Sequence, residues 1–119
     1  LRPTMQDAPS MTLRSRYEQA VRDLHARADK MRRAGASTEA IARALHAERR
    51  RLAARFKELT PEPYRTRIDE RTVRVYGSAG GPSIEFLRAK GKSWEAIIES
   101  AMRPGRPIGP ASERPEGQG

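Results

Sequence analysis

Residues 13–59 read LRSRYEQAVRDLHARADKMRRAGASTEAIARALHAERRRLAARFKEL, and the punctuation of this stretch decides the fold. Leu13, Tyr17, Val21, Leu24, Ala28 and Met31 recur at spacings of three and four, which places them on one face of a helix. Gly35 then supplies a residue able to take the left-handed conformation that ends a helix, and Ser37 a hydroxyl able to cap the next. A second helix follows, with Ile41, Leu45, Leu52, Phe56 and Leu59 expected on its inner face.

Downstream, Thr60-Pro61 reads as an N-cap followed by proline at the first helical position. Tyr64, Ile68 and Val75 make a thinner apolar stripe on a third helix. Val73-Arg74-Val75-Tyr76 alternates like a short strand, but one such segment cannot build a sheet. Gly77, Gly80, Gly81 and Pro82 break the chain. Ile84 and Leu87 mark a short fourth helix ended by Gly91, and Ser93 caps a fifth with Trp94, Ile97, Ile98 and Ala101 facing inward. The expected fold is all-α: one small bundle of about five helices with a glycine-rich turn between the third and fourth. Residues 1–9 read as a leader, 10–103 as the folded domain and 104–119 as a disordered Gly/Pro-rich tail.

The 119 residues carry 24 Lys and Arg against 15 Asp and Glu, a net charge of +9. Twenty of the 24 cations are Arg, and seven of the nine net charges fall within residues 1–60. The chain has no Cys and only two His, His25 and His46. Thiolate chemistry and a disulfide framework are therefore excluded, and neither a metal nor another cofactor is implied. No apolar run approaches the ~20 residues of a membrane span, so stable membrane insertion is not expected. Such an excess of guanidinium points to an acidic partner. The chain opens on Leu1, which suggests a piece of something longer.

Met31–Leu45 can be laid on Leu87–Ala101 at an offset of 56, with Arg32/Arg88, Gly35/Gly91, Ser37/Ser93, Glu39/Glu95, Ala40/Ala96 and Ile41/Ile97 identical. Gly, then Ser two positions later, then Glu at the second helical position is the chemistry of a tight helical corner. Helix-turn-helix DNA readers use the same pattern. A non-enzymatic nucleic-acid-binding module built on residues 31–57 is therefore the alternative reading, and simple docking on an acidic protein a third.

The second helix carries the densest cationic feature. Arg43, His46, Arg50 and Lys57 fall on one stripe, and Arg49 neighbours His46. Planar guanidiniums bind phosphate oxygens through two parallel hydrogen bonds, though a solvated face paired with Glu39, Glu48 and Glu58 has the same appearance in sequence. His46 is the side chain best suited to acid–base work near neutrality; His25, among Arg22, Arg27 and Asp29, has no comparable setting. The loop Tyr76–Ser83 matches neither glycine-rich phosphate-binding signature.

From about Leu45 to Gly105 the chain contains LHAERRRL, FKELTPEPYRTRI and YGSAGGPSIEFLRAKGKSWEAIIESAMRPG. In these islands it resembles the C-terminal toxin domains of bacterial polymorphic and contact-dependent growth-inhibition systems, with Leu59-Thr60-Pro61, Tyr76-Gly77, Gly81-Pro82-Ser83, Gly91-Lys92-Ser93-Trp94-Glu95 and Ile97-Ile98-Glu99-Ser100-Ala101 in order. It departs after Tyr76-Gly77, where the pattern has an acidic residue and this chain has Ser78. The resemblance implies a domain secreted at the C-terminus of a large cell-surface protein, acting in the target-cell cytoplasm and neutralised in the producer by an acidic immunity protein. Nucleases of transfer RNA are common in that class. Without Cys, a cluster of His or a long apolar segment, a metal-independent ribonuclease is the member that fits. His46 is then the expected general base or acid, with Arg49, Lys57 and Arg71 holding the reacting phosphate and Thr60 assisting. Arg43, Arg50, Tyr64, Ser83 and Lys92 are the expected nucleic-acid-binding residues.

Overall fold

The computed structural model describes residues 12–105. These are 74% helical, with five helices and no strand among them, so the domain is all-α. Helix α1 spans Leu13–Arg33, α2 Thr38–Leu59, α3 Tyr64–Tyr76, α4 Ile84–Ala89 and α5 Trp94–Ala101. The leader, residues 1–9, and nearly all of the tail lie outside the described residues.

The repeated sequence is a repeated structure. At the first corner Gly35 takes φ 87°, and at the second Gly91 takes φ 87°. The amide of Ala36 donates to Met31 O at 3.0 Å, and that of Lys92 to Leu87 O at 3.1 Å. Inside these, Gly35 N–H reaches Arg32 O at 3.0 Å and Gly91 N–H reaches Arg88 O at 2.9 Å. Each corner thus closes its helix with the same nested pair of bonds. The next helix opens identically: Ser37 Oγ accepts from Ala40 N–H at 3.1 Å and Ser93 Oγ from Ala96 N–H at 3.0 Å. Six matched residues encode one device used twice.

Helix α2 is central, packing against α1, α5 and α3. The core forms where its first half meets the middle of α1 and all of α5, through Leu24, Ala28, Ile41, Ala42, Leu45, Ile97, Ile98 and Ala101. Small residues at Ala28, Ala42 and Ala101 let the three helices approach closely. The Arg32 guanidinium reaches the Glu95 carboxylate at 3.2 Å, tying the two corners together. The half-buried Trp94 ring carries the guanidiniums of Arg88 at 4.1 Å and Arg43 at 5.1 Å from its centre.

Three expectations are corrected. Leu59 is 50% exposed and Val75 54% exposed, so the inner faces of α2 and α3 end sooner than their periodicity suggests. As the all-α reading has it, segment 73–76 builds no strand: it is the last turn of α3, which Gly77 closes in the left-handed conformation at φ 78°. Thr60 does not open α3. Its buried hydroxyl donates back to Phe56 O at 2.6 Å, and its amide reaches Lys57 O, so Thr60 closes α2. Instead α3 starts three residues later behind Pro63, and Glu62 caps it by accepting from Thr66 N–H at 3.0 Å and from the Thr66 hydroxyl at 2.7 Å. Those bonds hold the Glu62 carboxyl below the usual carboxylate range.

Candidate functional site

Past the core, the second half of α2 becomes the floor of a cavity of about 560 Å³. The sequence arranges this floor in three rows, because residues seven apart on a helix lie nearly on one line. His46 and Ala53 form the middle row, Arg49 and Phe56 one flank, and Arg50 and Lys57 the other. The methyl of Ala53 leaves the centre open. One wall is the start of α1 and the end of α5, including Arg14, Tyr17, Ser100 and Ala101. The other is α3, the glycine-rich turn and α4, with Arg71, Thr72, Tyr76, Pro82, Phe86 and Lys90.

Seven Lys or Arg side chains line the cavity and no Asp or Glu does. They are Arg14, Arg49, Arg50, Lys57, Arg71, Lys90 and Lys92. Around them the cations have structural partners. His46 Nε2 donates to Pro82 O at 2.8 Å, and Arg50 reaches the same carbonyl at 3.4 Å. Lys57 bonds Asp69 at 2.6 Å and Ala79 O at 3.3 Å. This flank of α2 therefore clasps the turn 77–83 by its carbonyls. On the opposite flank Arg49 donates to Tyr17 Oη at 3.0 Å and, through Nη1, to Ser100 O, Ala101 O and Arg103 O at 2.9–3.0 Å. Ala101 O ends α5 and Arg103 O lies just past it, where helical donors run out, while Ser100 O also accepts from Arg103 N–H at 3.3 Å. Arg49 is thus a cap on α5, where the sequence suggested a phosphate ligand.

His46 has the setting of a general base. A carbonyl can only accept, so Nε2 carries the proton and Nδ1 keeps its lone pair in the neutral ring. Burial pushes its pKa below the ordinary 6.5. Arg50 and Arg49 act in the same direction, while the Pro82 carbonyl and the Glu85 carboxylate oppose them. The ring is consequently neutral at physiological pH.

Of the ten residues expected at the site, the structure gathers His46, Arg49, Arg50, Lys57, Arg71 and Lys92 around one cavity. Arg43, Thr60, Tyr64 and Ser83 are elsewhere. Arg43 pairs with Glu39 at 2.9 Å and covers Trp94. Thr60 closes α2. Tyr64 begins α3 beneath Arg67, and Ser83 Oγ caps α4 by accepting from Phe86 N–H at 3.0 Å. The solvated pairs also form: Arg51 with Glu48, and Arg55 with Glu58 at 3.8 Å. At the first corner, the start of α2 offers Glu39 and a neutralised Arg43 where a DNA-reading helix needs free donors.

The aromatic lining was missed. Tyr17 and Phe56 stack with ring centres 4.6 Å apart, and Tyr76 meets Phe86 edge-on at 5.7 Å. All four rings line the cavity, and the sequence contains only six aromatic residues in total. Their helical spacing made Tyr17 and Phe56 read as core. Only the shortage of aromatics elsewhere could have marked them. Among the described residues no group of three or more His, Asp or Glu could hold a metal ion, and no helix is long and apolar enough to cross a membrane. Comparison with known protein families, with curated proteins and with solved structures gives no match.

Proposed function

We propose that this chain is the toxin domain of a bacterial growth-inhibition system and that it cleaves RNA, transfer RNA foremost, without a metal ion. One observation carries the chemistry: a half-buried His46 with Nε2 committed to a carbonyl faces a cavity lined by seven cations and no carboxylate. RNA contains its own nucleophile. Nδ1 of His46 takes the proton of a 2′-hydroxyl, the 2′-oxygen bonds to phosphorus and the bond from phosphorus to the 5′-oxygen breaks. An ammonium of the lining, Lys90 or Lys92, protonates the departing oxygen. Arg50 and Arg71 stabilise the added negative charge of the phosphorane. The toxin context rests on the sequence resemblance, as do secretion from a larger protein, action in the target-cell cytoplasm and neutralisation by an acidic immunity protein. The charge of +9 suits both acidic partners.

The test is incubation of the purified chain with total RNA in the presence of a chelator. Fragments ending in 2′,3′-cyclic phosphate are expected, and His46→Ala should abolish them while leaving the helical circular dichroism intact. Expression in bacteria should arrest growth in parallel. Arrest with RNA of full length would overturn the ribonuclease reading.

A further inference from the structure

Phosphate chemistry does not need rings, yet four of the six aromatic side chains surround this cavity. Tyr17 and Phe56 form a stacked pair on one side of the α2 floor, and Tyr76 and Phe86 an edge-on pair on the side of α3 and α4. Between them the floor is Ala53, which lies one row-step along α2 from His46. A volume of about 560 Å³ falls within the range of sites that enclose a small organic ligand, roughly 300–1,000 Å³. Aromatic walls beside cations are the surroundings that unpaired bases seek, since each base offers a π-face for stacking and its phosphates seek charge. A base within a duplex has both faces already stacked and cannot enter.

We infer that the cavity is a pocket for one unpaired nucleobase of an RNA strand, seated over Ala53 between the two aromatic pairs, with its adjoining phosphates on the surrounding cations. The ligand class rests on the ribonuclease reading, and the pocket adds what that reading lacks, a requirement for single-stranded substrate. Seating the base over Ala53 also brings its ribose toward His46, so the rings act as specificity determinants for the cleavage.

Equilibrium binding to the full chain tests this with four uncleavable probes: adenosine 5′-monophosphate, ribose 5-phosphate, a 2′-O-methyl hexanucleotide and the same hexanucleotide in a duplex. The nucleotide should bind about ten-fold more tightly than the sugar phosphate, as should the single strand relative to the duplex. Phe56→Leu and Tyr76→Leu should each reduce the first ratio towards one. Ala53→Trp, which fills the floor, should do the same if Phe56→Leu fails to fold. Equal binding of nucleotide and sugar phosphate, or a duplex bound as well as the single strand, overturns the pocket. RNA cleaved under those results would leave the ribonuclease reading standing. Strong nucleotide preference with a weakly bound hexanucleotide would identify a site for free nucleotides and overturn the RNA assignment.

Discussion

Replacing Arg49 with Met keeps an unbranched aliphatic stem on α2 and removes the guanidinium that joins three helices. Four acceptors lose the Arg49 bond, Tyr17 Oη and the carbonyls of Ser100, Ala101 and Arg103, though Ser100 O keeps a bond from Arg103 N–H at 3.3 Å. Nη1 has two hydrogens for three carbonyls, so those contacts amount to about two full bonds. A hydrogen bond with a charged partner contributes ~1.5–3 kcal/mol when well buried, and less here because two of the acceptors lie at the exposed end of α5. A combined loss of about 2–3 kcal/mol follows for the three bonds. In a domain of this size that lowers Tm by roughly 10–20 °C. Far-UV circular dichroism during heating measures it, and RNA cleavage well below the new Tm measures function. The structural role predicts a large drop in Tm with cleavage reduced by less than about ten-fold at low temperature. An unchanged Tm with cleavage abolished would refute it and return Arg49 to the phosphate.

Cleavage should rise with pH and reach half its plateau below pH 6.5, because burial depresses the His46 pKa and only the neutral ring accepts a proton. The same depression has a stability sign: the unfolded state binds the proton more readily, so His46's contribution is complete above pH 6.5 and fades as pH falls toward its folded pKa. A midpoint above 6.5 would contradict the burial. Ile98→Ala, at a fully buried site between α5 and α2, should cost ~2–5 kcal/mol in urea unfolding, whereas Val75→Ala, at an exposed one, should change it by under ~0.5 kcal/mol. Gly80→Ala places a methyl 2.5 Å from Arg50 Nη2. The guanidinium is a flexible end and should swing away, slowing cleavage several-fold with little change in unfolding.

Both corners were legible because every bond in them joins residues within five positions, and Gly and Ser are the residues such bonds require. The cationic stripe was legible as a stripe, since helical spacing alone groups 46, 50 and 57. Its duties were not. The partners of Arg49 lie more than thirty positions away in sequence, and most are main-chain carbonyls that no side-chain pattern reveals. Thr60-Pro61 misled for a related reason. A threonine hydroxyl can close one helix or open the next, and here Phe56 O was within reach. Glu62, the residue that actually caps α3, works through its side chain on Thr66 and leaves only a common i,i+4 pair in the sequence.

No residue of α3 is fully buried, whereas α1, α2 and α5 share the whole core. In hydrogen-exchange terms the molecule therefore has two tiers. Amides on the facing turns of α1, α2 and α5 should exchange only on global unfolding, and those of α3 through a cheaper local opening. Since α3 is one wall of the cavity, the same fluctuation that exposes its amides also widens the entrance. Ligand that bridges the walls should slow exchange in α3 while leaving the three-helix frame unchanged.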